Sequence, residues 1–157
     1  MSAPHFNLIS ELLPVQRRDF ALAAAALLDP NNANPLYDGE YLGLNASYQL
    51  VRGSGAQAAM TFPVFAERGR YDTQAIGKTV VLFSGFYEAE TTVANTAGLS
   101  VGSFLTVDDV TVDSQTKQGL VLAAGSGQHF IVGQVTRLPG NGKVRFIHTG
   151  GFQISIP

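Results

Sequence analysis

Alternating apolar and polar residues dominate the chain after residue 35. Residues 41–52 and 152–156 alternate with a period of two, which is typical of a half-buried strand. Short strands separated by glycine- and asparagine-containing turns at this spacing predict a mostly β fold, either a small β-barrel or a sandwich. The other predicted strands cover residues 59–66, 79–83, 86–93, 104–107, 110–112, 119–123, 130–138 and 143–147.

Two turns are predicted between strands in the second half of the chain. Asp108 and Asp109 indicate a solvated turn between the strands at 104–107 and 110–112. Residues 139–142, with the sequence Pro-Gly-Asn-Gly, carry a stronger turn signal.

The first 35 residues have a different texture. They contain four prolines and the alanine-rich run 21–28, which is followed by Asp29-Pro30. Alanine and leucine favour a helix, and a proline after them ends it. We expect residues 1–35 to form an N-terminal arm that contains a short helix or an extended segment, and residues 36–157 to form the β-barrel domain.

Composition narrows the class of partner. Charged residues make up 14% of the chain, against about a quarter in typical globular domains. Because interface cores are depleted in charge, this low value favours a surface covered by protein partners. The formal net charge of −2 gives no basic face for nucleic acid. The apolar run at 21–28 is too short to cross a membrane.

The sequence offers no catalytic residue, metal site or cofactor site. There is no cysteine, and His5, His129 and His148 are far apart, without the close spacing of a zinc site. Residues 53–58 match a loose dinucleotide pattern, but a predicted strand follows them where a phosphate-binding helix is required. No serine lies in a G-x-S-x-G elbow. We therefore expect a protein that is not an enzyme.

Two stretches resemble virion proteins of tailed bacteriophages. Residues 34–48 are similar to the start of the β domain in small virion proteins of this kind. Residues 98–107, 119–123 and 131–135, with the motifs V-G-S-F-L-T-V, G-L and I-V-G-Q-V, resemble the strands of bacteriophage head decoration proteins, also called capsid cement proteins. In that family these strands build a small β-barrel.

The resemblance implies a structural protein that binds the outside of the phage head and stabilises contacts between major capsid protein subunits. It implies a homo-oligomer, a dimer or a trimer, which is made in the host cytoplasm and located on the capsid exterior. Two alternatives remain open: another virion subunit from the tail or baseplate, or a cytosolic β-barrel that binds a small ligand. The predicted docking residues are the large apolar residues of the arm: Phe6, Leu8, Leu12, Leu13, Phe20, Leu22, Leu27 and Leu28.

Overall fold

The computed structural model describes residues 5–65 and 76–157. These residues form eleven strands and one short 3₁₀ helix, Ala25–Leu28, so the prediction of a mostly β fold is confirmed. The strands are β1 Phe6–Glu11, β2 Gln16–Ala21, β3 Tyr41–Leu44, β4 Leu50–Val51, β5 Thr61–Pro63, β6 Lys78–Ser84, β7 Tyr87–Thr91, β8 Phe104–Val112, β9 Gln115–Leu122, β10 Gly127–Gly140 and β11 Lys143–Ile156.

The strands are arranged in three antiparallel sheets. The main sheet has six strands in the order β1-β7-β11-β10-β8-β9, and its centre is the long β10–β11 hairpin. A second sheet pairs β2 with β6, and a third has the order β4-β3-β5. Because β1 and β9 lie at the two ends of the main sheet, the described strands do not close into a barrel.

Two apolar clusters account for most of the core. The larger cluster is covered by the main sheet and includes Tyr87, Leu105 and Phe146, none of which has exposed surface. The smaller cluster lies between the two small sheets and contains Leu22, Leu42, Leu50, Phe62, Val64 and Val81. Because successive side chains of a strand point to opposite faces of the sheet, the apolar positions of each alternating strand lie on the face that packs against these clusters.

The described part of the first segment is paired with the rest of the chain. Strand β1 pairs with β7, from Phe6 opposite Thr91, and β2 pairs with β6. The alanine-rich run forms only the 3₁₀ helix, since its first residue ends β2 and Leu22 is buried in the smaller cluster. Tertiary burial thus outweighs the helix propensity of alanine. The division of the chain at residue 35 stays a prediction.

The predicted turn at Asp108 and Asp109 is wrong. Both residues lie within β8, where Asp108 pairs with Gly119 and Asp109 with Gln118 of β9. The chain reverses instead at Asp113-Ser114, whose φ angles are +49° and +62°. Two residues with positive φ form a turn whose twist matches that of the flanking strands, which is why the hairpin closes there.

The predicted strand over residues 41–52 is divided in the structure. Strands β3 and β4 form a hairpin, and the Asn45 side chain accepts hydrogen bonds from the amides of Ser47 and Gln49 in the turn between them. Asparagine commonly stabilises turns in this way. Residue 66, the last of the predicted strand 59–66, lies outside the described residues.

Candidate docking surface

The predicted docking residues occupy three different environments. Phe6 and Leu22 are buried in the core of this chain. Leu8 and Phe20 are half-buried and pack against the two core clusters. The others are placed further outward: Leu27 and Leu28 line a surface groove, and Leu12 and Leu13 are exposed.

Leu12 and Leu13 form the most exposed apolar feature of the first segment. They lie in the turn between β1 and β2, which we call the β1–β2 tip, and are 48% and 61% exposed. Both backbone amides donate hydrogen bonds to the carbonyl of Phe86, each at 2.9 Å. The backbone is thereby held while the two side chains project into solvent, so a partner can cover them without first ordering the turn.

Charged side chains flank the β1–β2 tip. The Arg17 guanidinium forms an ion pair with Glu11 at 2.6 Å and lies 5.5 Å from the centre of the Phe65 ring. Arg18 lies 5.0 Å from the centre of the Phe83 ring. An apolar centre with a charged rim is the usual anatomy of a protein–protein interface.

Strand β1 adds an open edge beside the tip. It is the last strand of the main sheet, and among the described residues no strand pairs with its outer side. A β-bulge between Leu8 and Ser10 interrupts its register, and Ile9 at this bulge is exposed. An open edge of this kind is able to accept an additional strand from a partner.

A groove of about 300 Å³ lies beside the 3₁₀ helix. Its wall is mostly apolar and combines the 3₁₀ helix with the following loop and the small sheets; the lining residues are Leu27, Leu28, Pro30, Pro35, Leu36, Asp38, Val64 and Thr79. The volume is at the lower end of the range for small-molecule sites.

A second exposed apolar surface lies at the open end of the β10–β11 hairpin, away from its turn. We call Val101, Phe104 and Phe152 the neutral face; they are 69%, 42% and 39% exposed. The rings of Phe104 and Phe152 meet edge to face at 6.3 Å. Residues 91–107, 118–136 and 146–157, which supply this face, contain no aspartate, glutamate, lysine or arginine.

A buried ionic network holds the loop before β3. Arg52 binds both carboxylate oxygens of Glu40, and its Nη2 lies 3.0 Å from Oε2. The Lys117 Nζ donates to Asn34 Oδ1 at 2.6 Å and to the carbonyl of Pro35. Burial lowers the pKa of Lys117 to about 8, opposed by the attraction of Glu40. Because Glu40 and Lys117 have no exposed surface, the network stabilises the loop and is not open to a ligand.

A shallow cleft of about 430 Å³ brings a histidine, a hydroxyl and a carboxylate together. His5 Nδ1 lies 2.8 Å from the Thr92 hydroxyl, but its Nε2 is 3.7 Å from Asp113 Oδ2. The latter distance is too long for a hydrogen bond, so His5 and Asp113 are near each other without one. The Tyr37 hydroxyl donates to Asp113 at 3.2 Å, and its ring stacks on His5. Burial and the negative charge of Asp113 raise the pKa of Tyr37.

The remaining sequence motifs are separated by the fold. His129 pairs with Ile154 across the hairpin, whereas His148 is buried and stacks on Tyr87 at 4.7 Å. In the part of the chain that the structure covers, no three histidine or carboxylate side chains are grouped to hold a metal ion. No helix among residues 5–65 and 76–157 is long and apolar enough to cross a membrane.

Comparisons of this chain with protein-family models, with curated proteins and with solved structures found no match.

Proposed function

We propose that this chain is a bacteriophage capsid decoration protein that binds the outside of the head and bridges major capsid protein subunits without catalysis. The observation that carries the proposal is the β1–β2 tip, where Leu12 and Leu13 project from a backbone that is fixed to the body of the protein. The sequence resemblance supports the choice of assembly, and the exposure of the tip supports the choice of surface.

The tip and the edge of β1 supply two kinds of contact. The leucine side chains offer apolar area for burial, and the open edge offers backbone donors and acceptors to an extended segment of the capsid protein. Each single contact is modest. A homo-oligomer that is bound at several points gains from the high effective concentration of its remaining copies, so the shell is stabilised by avidity.

A test by deleting residues 1–34 is not informative, because it removes β1, β2 and the buried Phe6 and Leu22. The better variant replaces both Leu12 and Leu13 with serine. We expect this variant to fold and to bind heads at least about tenfold more weakly, since roughly 2 kcal/mol of apolar burial is lost. Co-sedimentation with heads that are built from the capsid protein of the same phage measures the affinity.

Met60→Ser is the matched control, because Met60 is an exposed apolar residue outside the first segment. It should bind heads as the unmodified protein does. If the Leu12→Ser, Leu13→Ser variant binds with unchanged affinity, the tip is not the docking surface. Copy number on the particle separates the alternatives: a number near that of the major capsid protein supports decoration, and a few copies indicate a tail or baseplate subunit.

The groove behind the 3₁₀ helix favours the small-ligand alternative. If that alternative is correct, an apolar compound that fits about 300 Å³ should raise the melting temperature of the isolated protein. Substitution of Leu28, which lines the groove, by a larger residue should abolish that increase.

A further inference from the structure

The two halves of the β10–β11 hairpin differ in which neighbouring strands pair with them. Strand β7 pairs with β11 from Val144 to His148 and extends no further. Strand β8 pairs with β10 only at Gly133 and Gln134. Beyond these points, residues 152–156 of β11 pair with residues 127–131 of β10. No described strand pairs with the other edge of residues 152–156.

Gly150 and Gly151 mark the point where the covering strands stop. Their φ angles are +82° and +86°, a conformation that side chains disfavour. A Cβ added at Gly151 would lie 2.6 Å from the Phe130 ring, so a side chain there would have to displace the ring. The two glycines redirect β11 after His148, and the outer part of the strand continues the main sheet with β10 as its only strand partner among the described residues.

The outer edge of residues 152–156 lacks the usual protection against pairing. Exposed edges in soluble proteins commonly carry lysine, another charge or an inward-facing polar group. Here the last charged residue of the strand is Arg145, and residues 146–157 contain none. The one described hydrogen bond that reaches residues 152–156 from outside the hairpin joins the Gln153 side chain to the carbonyl of Ala58 at 3.3 Å, and it leaves the backbone edge open.

The strand sequence points to its own copy as the partner. Residues 152–156 read apolar, polar, apolar, polar, apolar, with Ile154 at the centre. Reversing this sequence gives the same pattern, so an antiparallel copy matches it position by position. Phe152 then faces Ile156 of the second copy, Ile154 faces Ile154, and Gln153 faces Ser155. Since the segment is uncharged, the pairing brings no like charges together.

We propose that two copies of this chain associate through the outer edge of β11, as antiparallel strands related by a two-fold axis at Ile154. The six-stranded sheet of one copy continues into that of the other through the paired hairpins. The apolar side of the new strand pair carries Phe152, which contacts Phe104, so the neutral face is extended by its copy. An interface between identical surfaces of this kind is isologous and closes as a dimer.

The absence of cysteine from the chain allows a direct test of the register. In the proposed dimer, an Ile154→Cys variant places its only thiol opposite itself, with Cβ atoms about 5 Å apart. Under mild oxidation at micromolar concentration we expect a disulfide-linked dimer that forms at least about tenfold faster than with Leu13→Cys, because pairing raises the effective thiol concentration. Leu13 is the control, since it is more exposed but lies on the β1–β2 tip.

Two further measurements separate this register from other contacts. Gln153→Cys should cross-link poorly alone but rapidly when mixed with Ser155→Cys chains. The Ile154→Lys variant should be a monomer in sedimentation equilibrium at concentrations where the unmodified protein is a dimer. Its melting temperature at low concentration shows that the fold is retained. Any of three results would overturn the proposal. The protein is a monomer at every concentration, the Ile154→Cys and Leu13→Cys variants oxidise at equal rates, or Ile154→Lys does not weaken the dimer.

The interface is independent of the proposed docking surface. Leu12→Ser with Leu13→Ser should weaken head binding and leave the dimer unchanged. The dimer measurements need no phage particle, so their failure removes this dimer as a source of avidity but leaves docking through the β1–β2 tip standing. Failure of head binding, in turn, leaves the dimer standing.

Discussion

Glu40→Gln should lower the free energy of unfolding by about 3–5 kcal/mol, because it removes one partner of a buried ion pair. Glutamine has nearly the size of glutamate, so the loss reports the charge and not a cavity. Without the carboxylate, Arg52 and Lys117 face each other in a site where Glu40 and Lys117 have no exposed surface. The Tyr37 amide, which donates to Glu40 Oε2 at 3.2 Å, loses its charged acceptor as well.

Glu11→Gln is the matched control for this measurement. Glu11 pairs with Arg17 at 2.6 Å, but both side chains are about a third exposed, and water already solvates them. Exposed pairs of this type contribute less than about 1 kcal/mol. Urea unfolding of both variants at pH 7 measures the difference. Similar small losses for Glu40→Gln and Glu11→Gln would show that the network adds little to stability.

Acidification should destabilise the protein through His148. Burial lowers the pKa of His148 to about 4, although a hydrogen bond with the Gly85 backbone acts in the opposite direction. In the unfolded chain a histidine titrates near 6.5. Between these values the unfolded state binds more protons, so stability decreases as the pH falls from about 6.5 to about 4, by roughly 3 kcal/mol in total.

The loss of stability at low pH has a structural reason in addition to the burial of His148. The Gly150 amide donates to His148 Nδ1 at 3.2 Å, so the lone pair that would take up a proton is already used. His148→Gln should therefore show a flatter dependence of unfolding free energy on pH between 4 and 6.5. His129→Gln, at a half-buried position, should keep the full dependence. If the profile of His148→Gln has the same slope as that of the unmodified protein, His148 does not control acid stability.

Strand positions were predictable because burial leaves a local pattern. Strand β6 was found from five consecutive apolar or β-branched residues, and the β10–β11 turn from Asn141-Gly142, whose φ angles are both positive. The turn at Asp113-Ser114 was missed because it contains no glycine or proline, and the preceding aspartates gave a stronger local signal. Helix propensity misled the interpretation of residues 21–28, since it takes no account of the core that Leu22 enters.

The buried network was not predictable from spacing. Glu40 and Arg52 flank the β3–β4 hairpin, and Lys117 joins them only when β9 is placed beside the loop at residues 33–37. Exposure could not be predicted within the first segment either. Leu12 and Leu22 are chemically identical, yet one is exposed at a turn and the other is buried, and this difference depends on strand pairing.

The pairing of β1 with β7 has a consequence for how the chain acquires its structure. Phe6 precedes its partner Thr91 by 85 residues, since 91 − 6 = 85. Closing so large a loop costs conformational entropy before any contact repays it, and β proteins with distant partners fold on the scale of milliseconds to seconds. Strand β1 therefore cannot be placed before β7 is present, and Phe6 stays in contact with water until β7 is ready to receive it.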